Sequence, residues 1–541
     1  MSVDVRALLH LEPLTNDDEG ESDAITAVIL SASQDENPTI SLVEIYSVLC
    51  QSRSEALLDP LAILPPLLRT RRPGANDLIS LVGECASAKE VVIAIQEALE
   101  GVARILAAED DGDEPNEKSS PVEQLLSVVQ LSTSAIPRLK LRRKAPSETL
   151  TPLLSQLERT IHLASAQLSR DQGRQLLLGL AQLLHTAFHW MHGYDPEDVP
   201  SGQTLLKRVL DSAVSDCSQC LQSSLAQRTF EKLYPRLTIR SQLLEDWQAG
   251  ELVVEKVAAA YKLIDIENKQ PPIPSVAYLV LLSHSGTLPY DINKLFLFLL
   301  PILISSVQTT HALDETLALL LVGLQASMFS AGHQLSPEIS GPLCAILPSL
   351  ASSHPDAQTR HQAFRILSRI LFLTPPQLRI QILKDLVTDT QFPQMRVAAI
   401  GLVKESVLDA LSHETSASIF ASPQFLQVFG PILLRPDPLD LFDAELALDA
   451  MVDSSEPARL VECLSLYYIL LLRDKSNRTG IRDRDQIKNV ERTLLAPIRA
   501  TLLRWMKLAV VSDDHLHTEI MPLVALKTSL ERVDVAIIDL N

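Results

Sequence analysis

The chain has 541 residues, longer than one hydrophobic core usually grows, so several domains or a quasi-one-dimensional stack are expected. Hydrophobic residues make up 46% and charged residues 21%, while aromatics are only 4%; Leu, Ile, Val and Ala carry the apolar mass, a composition that leans toward helix. A net charge of -20 and a pI near 5.1 argue against a surface built to track phosphates, and make nucleic acid and anionic membrane poor partners.

Taken from the N-terminus, MSVDVRALLHLEPLTNDDEGESD has no basic segment followed by an apolar one and a small-residue cleavage site, so a secretory signal is not expected and a cytoplasmic location is. The acidic stretch 16–23 reads as a frayed end. Apolar periodicity predicts a helix over 88–108, and the acidic, polar run 109-EDDGDEPNEKSS-120 that follows reads as a disordered linker. The expected organisation is an N-terminal helical region at 1–108, an acidic linker at 109–121, a middle helical region at 122–270 and C-terminal HEAT-like repeats at 271–541. The basic run 138-RLKLRRK-144 either sits beside the acidic loop or addresses the nucleus, which adds a nuclear location to the cytoplasmic one.

Two constellations further on carry potential chemistry. His185, His189 and His192 fall at i, i+4 and i+7 of a predicted helix over 173–192, so three imidazoles share a face. Their neighbours Leu183, Leu184, Phe188 and Trp190 make it an amphipathic packing helix, and no acidic general base lies between the histidines, so no metal is assigned. Cys217 and Cys220 form a C-x-x-C inside 208–228, which reads as continuous helix without a preceding strand. They are ordinary small helix residues or, as the alternative function, a thiol-based redox pair. Six cysteines spread over the chain make no disulfide framework. The most apolar run, 295-LFLFLLPILISSV-307, has Pro301 in its middle and falls short of the roughly 20 residues that span a bilayer, so it reads as a buried helix. No G-x-G, Gly-Lys, G-x-S-x-G or H-E-x-x-H occurs, so the sequence assigns no catalytic residue, cofactor or small-molecule substrate.

The stretches 355-PDAQTRHQAFRILSRILFL-373 and 393-PQMRVAAIGLVKESVLDAL-411 align with Arg360 on Arg396, 36 residues apart. Ala363 then pairs with Ala399, Ile366 with Leu402 and Leu367 with Val403, and 375–389 supplies a helix between them. One helix pair cannot bury its apolar face alone, so this spacing predicts an all-α, HEAT/armadillo-like α-α superhelix of stacked pairs.

The stretch 466-LYYILLLRDKSNRTGIRDRD-485 runs an apolar helix into a polar turn. Asn477-Arg478-Thr479 is a formal glycosylation acceptor, which an intracellular chain does not use. Asp474, Asn477 and Gly480 are turn residues; Gly480 suits a left-handed stop after a helix ending near Arg473, and Asp483 or Asp485 starts the next helix, in which Ile487, Val490, Leu494 and Ile498 share a face. The turn Arg473, Asp474, Lys475, Asn477, Arg478, Thr479 and Gly480 is either architectural or a partner contact. Arg478→Glu is expected to spare the fold and weaken binding only if the turn touches a partner.

The stretch 459–502, with Leu470 to Leu472, Arg473 to Lys475, Asn477, Thr479, Gly480, Leu495 and Pro497, resembles the glomulin and Yap-binding protein family; the similarity covers about residues 350 to 541. The resemblance implies a non-enzymatic, HEAT-like adaptor without cofactor. Its implied partner is either the RING-box subunit of a cullin-RING ubiquitin ligase, which the adaptor inhibits, or a Yap-type transcription factor of the oxidative-stress response.

Overall fold

The computed structural model describes residues 18–52, 54–108, 118–141, 143–237, 246–264, 273–289, 291–328, 334–413, 418–438, 441–442, 454–511 and 521–540, the side chains of 18–19 and 506–511 excepted. Most of the expected acidic linker, 109–117, therefore lies outside the described residues, as does the acidic stretch up to residue 17. The described residues form helices and no strand; a single antiparallel bridge joins Thr70 to Lys118. Two compact units result, one of residues 1–288 with 310–319, the other of 289–309 with 320–541.

The first unit contains α1 (Asp18–Gln34), α2 (Leu42–Ser52), α3 (Pro60–Arg69), α4 (Ala75–Cys85), α5 (Ala88–Ala107), α6 (Pro121–Ala135), α7 (Pro146–Ala164), α8 (Arg170–Tyr194), α9 (Val199–Asp216), α10 (Ser218–Leu221), α11 (Leu225–Leu233), α12 (Trp247–Ile264) and α13 (Val276–His284). Through α9, helices two places apart in sequence stack on one another; beyond the short α10 and α11 the step is four. Thus α3, α5, α7, α9 and α13 form one layer, and α2, α4, α6, α8 and α12 a second. The layers are joined by α3 against α4, α5 against α6, α8 against α9 and α12 against α13. Leu, Ile, Val and Ala fill the seam; Leu99, Leu125, Leu153, Leu177 and Leu206 are fully buried. Helix starts follow local chemistry. Pro60, Pro121 and Pro146 occupy first-turn positions where a missing N–H costs nothing. Ser120 with Glu123 and Ser169 with Gln172 close capping boxes.

The helix expected over 208–228 is broken, which corrects that reading. α9 stops at Asp216, α10 is one turn, and Gln222 and Ser224 are left-handed before α11 starts at Leu225. Tertiary groups provide for the exposed backbone at the break. Arg174, buried on α8, donates to the carbonyls of Cys220 and Leu221, and Asp314 accepts from the N–H groups of Leu225 (2.7 Å) and Ala226 (2.8 Å).

The second unit begins with α14 (Ile292–Thr309) and the later part of α15 (Leu313–Met328). Then come α16 (Pro337–Ser353), α17 (Ala357–Leu373), α18 (Pro376–Thr388), α19 (Pro393–Ser412), α20 (Pro423–Leu433), α21 (Glu456–Arg473), α22 (Arg484–Val490), a π turn at Glu491–Leu495, α23 (Ala496–Val511) and α24 (Met521–Ile538). α14 is long and apolar enough to cross a membrane by length and composition, yet Ile292, Leu295, Phe296, Leu299 and Leu303 are buried and the helix packs on α16, as the core reading expected. α16 pairs with α17, α18 with α19, and α19, α21 and α24 form a row. The 36-residue repeat falls on α17 and α19: Ala363 and Ala399, Ile366 and Leu402, and Leu367 and Val403 are all buried. The expected all-α stack of helix pairs is borne out.

Desolvation, with Glu315 beside it, raises the Asp314 carboxyl to about 6, although the two N–H donors oppose the shift. A folded pKa above the unfolded one means that this group's contribution to stability is fully present below about pH 4 and is lost as the pH rises to about 6. The melting temperature of Asp314→Asn relative to the natural chain should therefore rise between pH 4 and pH 6.5. A pH-independent difference in differential scanning calorimetry would contradict this.

Candidate functional site

The turn after α21 is a closed hydrogen-bond network. Asp474 is buried, and its carboxylate accepts from the backbone N–H of Arg478 and of Thr479, both at 2.8 Å, and from the Thr479 hydroxyl at 2.6 Å. Asn477, left-handed at φ 50°, donates from Nδ2 to Asp483 at 2.7 Å and accepts from the N–H of Arg482 at 2.9 Å. The sequon amide is thereby engaged within the turn. Gly480 has φ 80°, but it lies seven residues beyond the end of α21. It shapes the middle of the turn and is not the helix stop that the sequence predicts. The stop is made by Arg482, whose guanidinium donates to the carbonyls of Leu471 and Leu472, the last turn of α21. Asp483 does precede α22, yet its side chain is taken by Asn477 and makes no cap bond. Val490, Leu494 and Ile498 are buried together, with Ile487 half-buried, as their spacing predicts.

The expectation that Arg478→Glu spares the fold is corrected, because Arg478 holds the turn to the end of α19. This arginine is half-buried and donates to the carbonyls of Ala410 (3.4 Å) and His413 (3.3 Å). What the turn presents outward is Arg473, Lys475 and Ser476, continued by Asp483, Arg484 and Asp485, all exposed. Beside it, ionic side chains cross between helices. Arg365 and Ser368 of α17 reach Glu405 of α19, and Lys404 of α19 reaches Glu462 and Ser465 of α21. Sequence reasoning missed this ladder because its members lie on different helices.

The remaining candidates are dispersed. Cys217 and Cys220 are both buried; desolvation, first among the causes, raises each thiol above its ordinary pKa, Cys217 strongly so. A neutral buried thiol is a poor nucleophile. His185 and His189 are exposed and bring their Nε2 atoms to 2.9 Å, while His192 lies against Phe188. Among the described residues no three His, Cys, Asp or Glu side chains converge as a metal site. In the basic run, Arg138 is structural, donating to the carbonyls of Gly83 and Ala86 at the end of α4. Lys140, Arg143 and Lys144 are exposed. Lys118 and Arg138 flank opposite ends of α6, 15 residues and so about 22 Å long, which separates the basic run from the C-terminal edge of the acidic segment.

The family described as "Uncharacterised protein family, YAP/Alf4/glomulin" matches residues 295–519. The resemblance read from the sequence is borne out over that segment, which starts before residue 350 and stops short of α24. No curated protein matches the chain. Among solved structures, importin beta in an ammonium sulfate condition is similar at 11% identity and a TM-score of 0.23, covering 99% of this chain and 65% of that one. So loose a superposition carries no weight beside the helix pairing itself.

Gly480→Val should lower stability by about 1–3 kcal/mol, because φ 80° is strained for a β-branched residue. Arg478→Glu should destabilise as well, by placing a carboxylate against two carbonyls. Thermal unfolding followed by circular dichroism checks both; unchanged melting would remove the structural assignment. For the thiols, a maleimide should label exposed Cys50 and Cys85 in the native chain, and Cys217, Cys220, Cys344 and Cys463 only after unfolding. Native labelling of Cys217 or Cys220 at the rate of Cys50, mapped by mass spectrometry, would reinstate the redox pair.

Proposed function

We propose that this chain, whose residues 295–519 match the YAP/Alf4/glomulin family, is a non-enzymatic helical-repeat adaptor that regulates a protein partner by occupying its surface. The observation that carries this reading is the family match lying over a stack of paired helices. Stacked pairs offer a long, preformed surface whose binding residues sit on rigid elements, so little ordering entropy is lost on association.

Within that reading the partner is either the RING-box subunit of a cullin-RING ligase or a Yap-type stress transcription factor, met in the cytoplasm. A net charge of -20 favours a partner whose surface is basic overall, since complementary potentials raise the encounter rate, while the exposed Arg473 and Lys475 give the 473–485 turn a local basic edge for an acidic group of that partner. The outward charges of the 473–485 turn supply a local contact that does not disturb its internal network, because Arg473 and Lys475 point to solvent while Asp474, Thr479 and Arg482 hold the turn.

Affinity capture from the native cell, followed by mass spectrometry, tests the partner. Recovery of RING-box and cullin subunits supports ligase inhibition, recovery of the transcription factor supports the stress role, and recovery of neither rejects both. The double variant Arg473→Glu, Lys475→Glu should weaken capture of that partner about tenfold while leaving the melting temperature within about 1 °C. A large fall in melting temperature would show that these side chains support the fold instead.

A further inference from the structure

The first unit contains a cleft that the reading above leaves without a role. It has a volume of about 1500 Å³ and lies between α9, α12 and α13. Small-molecule sites usually enclose about 300–1,000 Å³, so this one is oversized for a metabolite. A helix about 10 Å across with a 5.4 Å pitch fills roughly 420 Å³ per turn, so the space accommodates about three turns of helix. Val254, Ala258, Ala259, Leu281 and Leu282 give it an apolar lining. At the rim Leu252 and Ile273 are 49% and 76% exposed.

The two walls differ in charge. α9 presents Lys207 and Arg208, and α12 presents Glu251 and Glu255. Arg208 is paired with Glu158 and Glu251 with Arg228, whereas no ion pair engages Glu255 among the described residues. Lys262 stands two turns further along α12, and Asp211 on the α9 wall accepts from the Tyr261 hydroxyl. At one end lies His284, with 5% of its side chain exposed. Its Nε2 faces Ser223 (3.5 Å) and Glu315 (3.7 Å), and its Nδ1 is buried with no hydrogen-bond partner among the described residues. Buried polar atoms are rarely left so.

We propose that this cleft is a second protein-binding site, which takes an amphipathic helix of a partner with its apolar face down. The helix carries acidic groups on the side facing Lys207 and Arg208, basic groups on the side facing Glu251 and Glu255, and a polar group that meets His284 Nδ1. Burying the rim leucine and isoleucine drives association, and the opposed walls select the flanking charges. The site lies outside residues 295–519, so it stands or falls independently of the family assignment.

The test uses the purified full chain and three fluorescein-labelled synthetic helices of 18 residues. All carry leucines at i, i+3, i+4 and i+7; the flanks are Lys on one side and Glu on the other, all Lys, or all Glu. Fluorescence anisotropy should show saturable binding, tightest for the mixed-charge peptide, with a shift in emission from Trp247, which lines the cleft. Leu252→Glu, at an exposed position, should weaken that binding at least tenfold with an unchanged circular dichroism spectrum. Glu255→Lys should reduce affinity for the all-Lys peptide and raise it for the all-Glu one. No saturable binding of the mixed-charge peptide, or binding that both substitutions leave unaltered, overturns the proposal. Self-association in sedimentation without peptide, abolished by Leu252→Glu, would assign the cleft to a second copy of the chain and overturn it too.

Discussion

Every helix ends with carbonyl oxygens that have no partner along the chain, and a stack of helices turns many of those ends toward its own interior. In this protein arginine side chains answer them repeatedly. Arg72 donates to Ala32 at the end of α1, Arg138 to Gly83 and Ala86 after α4, and Arg174 to Cys220 and Leu221 at α10. Arg360 serves the end of α16, Arg379 that of α17, Arg396 that of α18 and Arg478 that of α19. Arg459 and Arg482 do the same for α20 and α21. A guanidinium suits the task because it is always charged, offers several N–H donors in a plane and lies at the negative end of the helix dipole. Hydrogen bonds to a charged group contribute about 1.5–3 kcal/mol each, so these joints compare with a buried leucine as determinants of where one pair meets the next.

The two repeats make the point geometrically. Arg360 and Arg396 occupy equivalent places in α17 and α19, and each reaches back to the end of the helix before it. The repeat therefore preserves a joint as well as an apolar face. The turn at 474–483 elaborates the same device. Arg482 closes α21 from one side, Arg478 closes α19 from the other, and the buried Asp474 carboxylate holds the loop that carries both. A segment that looks like a surface epitope in sequence is in this way a fastener between helices, with only Arg473, Lys475 and Ser476 left for contact at its near edge.

Much of the fold was legible in advance for physical reasons that are local. Apolar periodicity marked α5, α8, α17 and α19. The 36-residue alignment placed Ala363 on Ala399, and both are fully buried. What escaped the sequence was set by partners far along the chain. Asp314 steadies the start of α11 from 88 residues away and Arg478 reaches 68 residues back, so neither role leaves a pattern in a short window. The break at 217–224 belongs to the same class: its residues are compatible with helix, and Arg174 and Asp314 stabilise the alternative. The cleft of the first unit was likewise invisible, since its walls come from three helices separated by loops.

The direction of the arginine joints bears on how the chain matures during synthesis. Apart from Arg174, each arginine named here lies downstream of the helix it completes. A helix of this set leaving the ribosome thus carries open carbonyls until a later segment emerges and swings its guanidinium into place. At these joints order propagates from earlier helices toward later ones, and a chain cut short before such an arginine leaves the helix it completes unsealed.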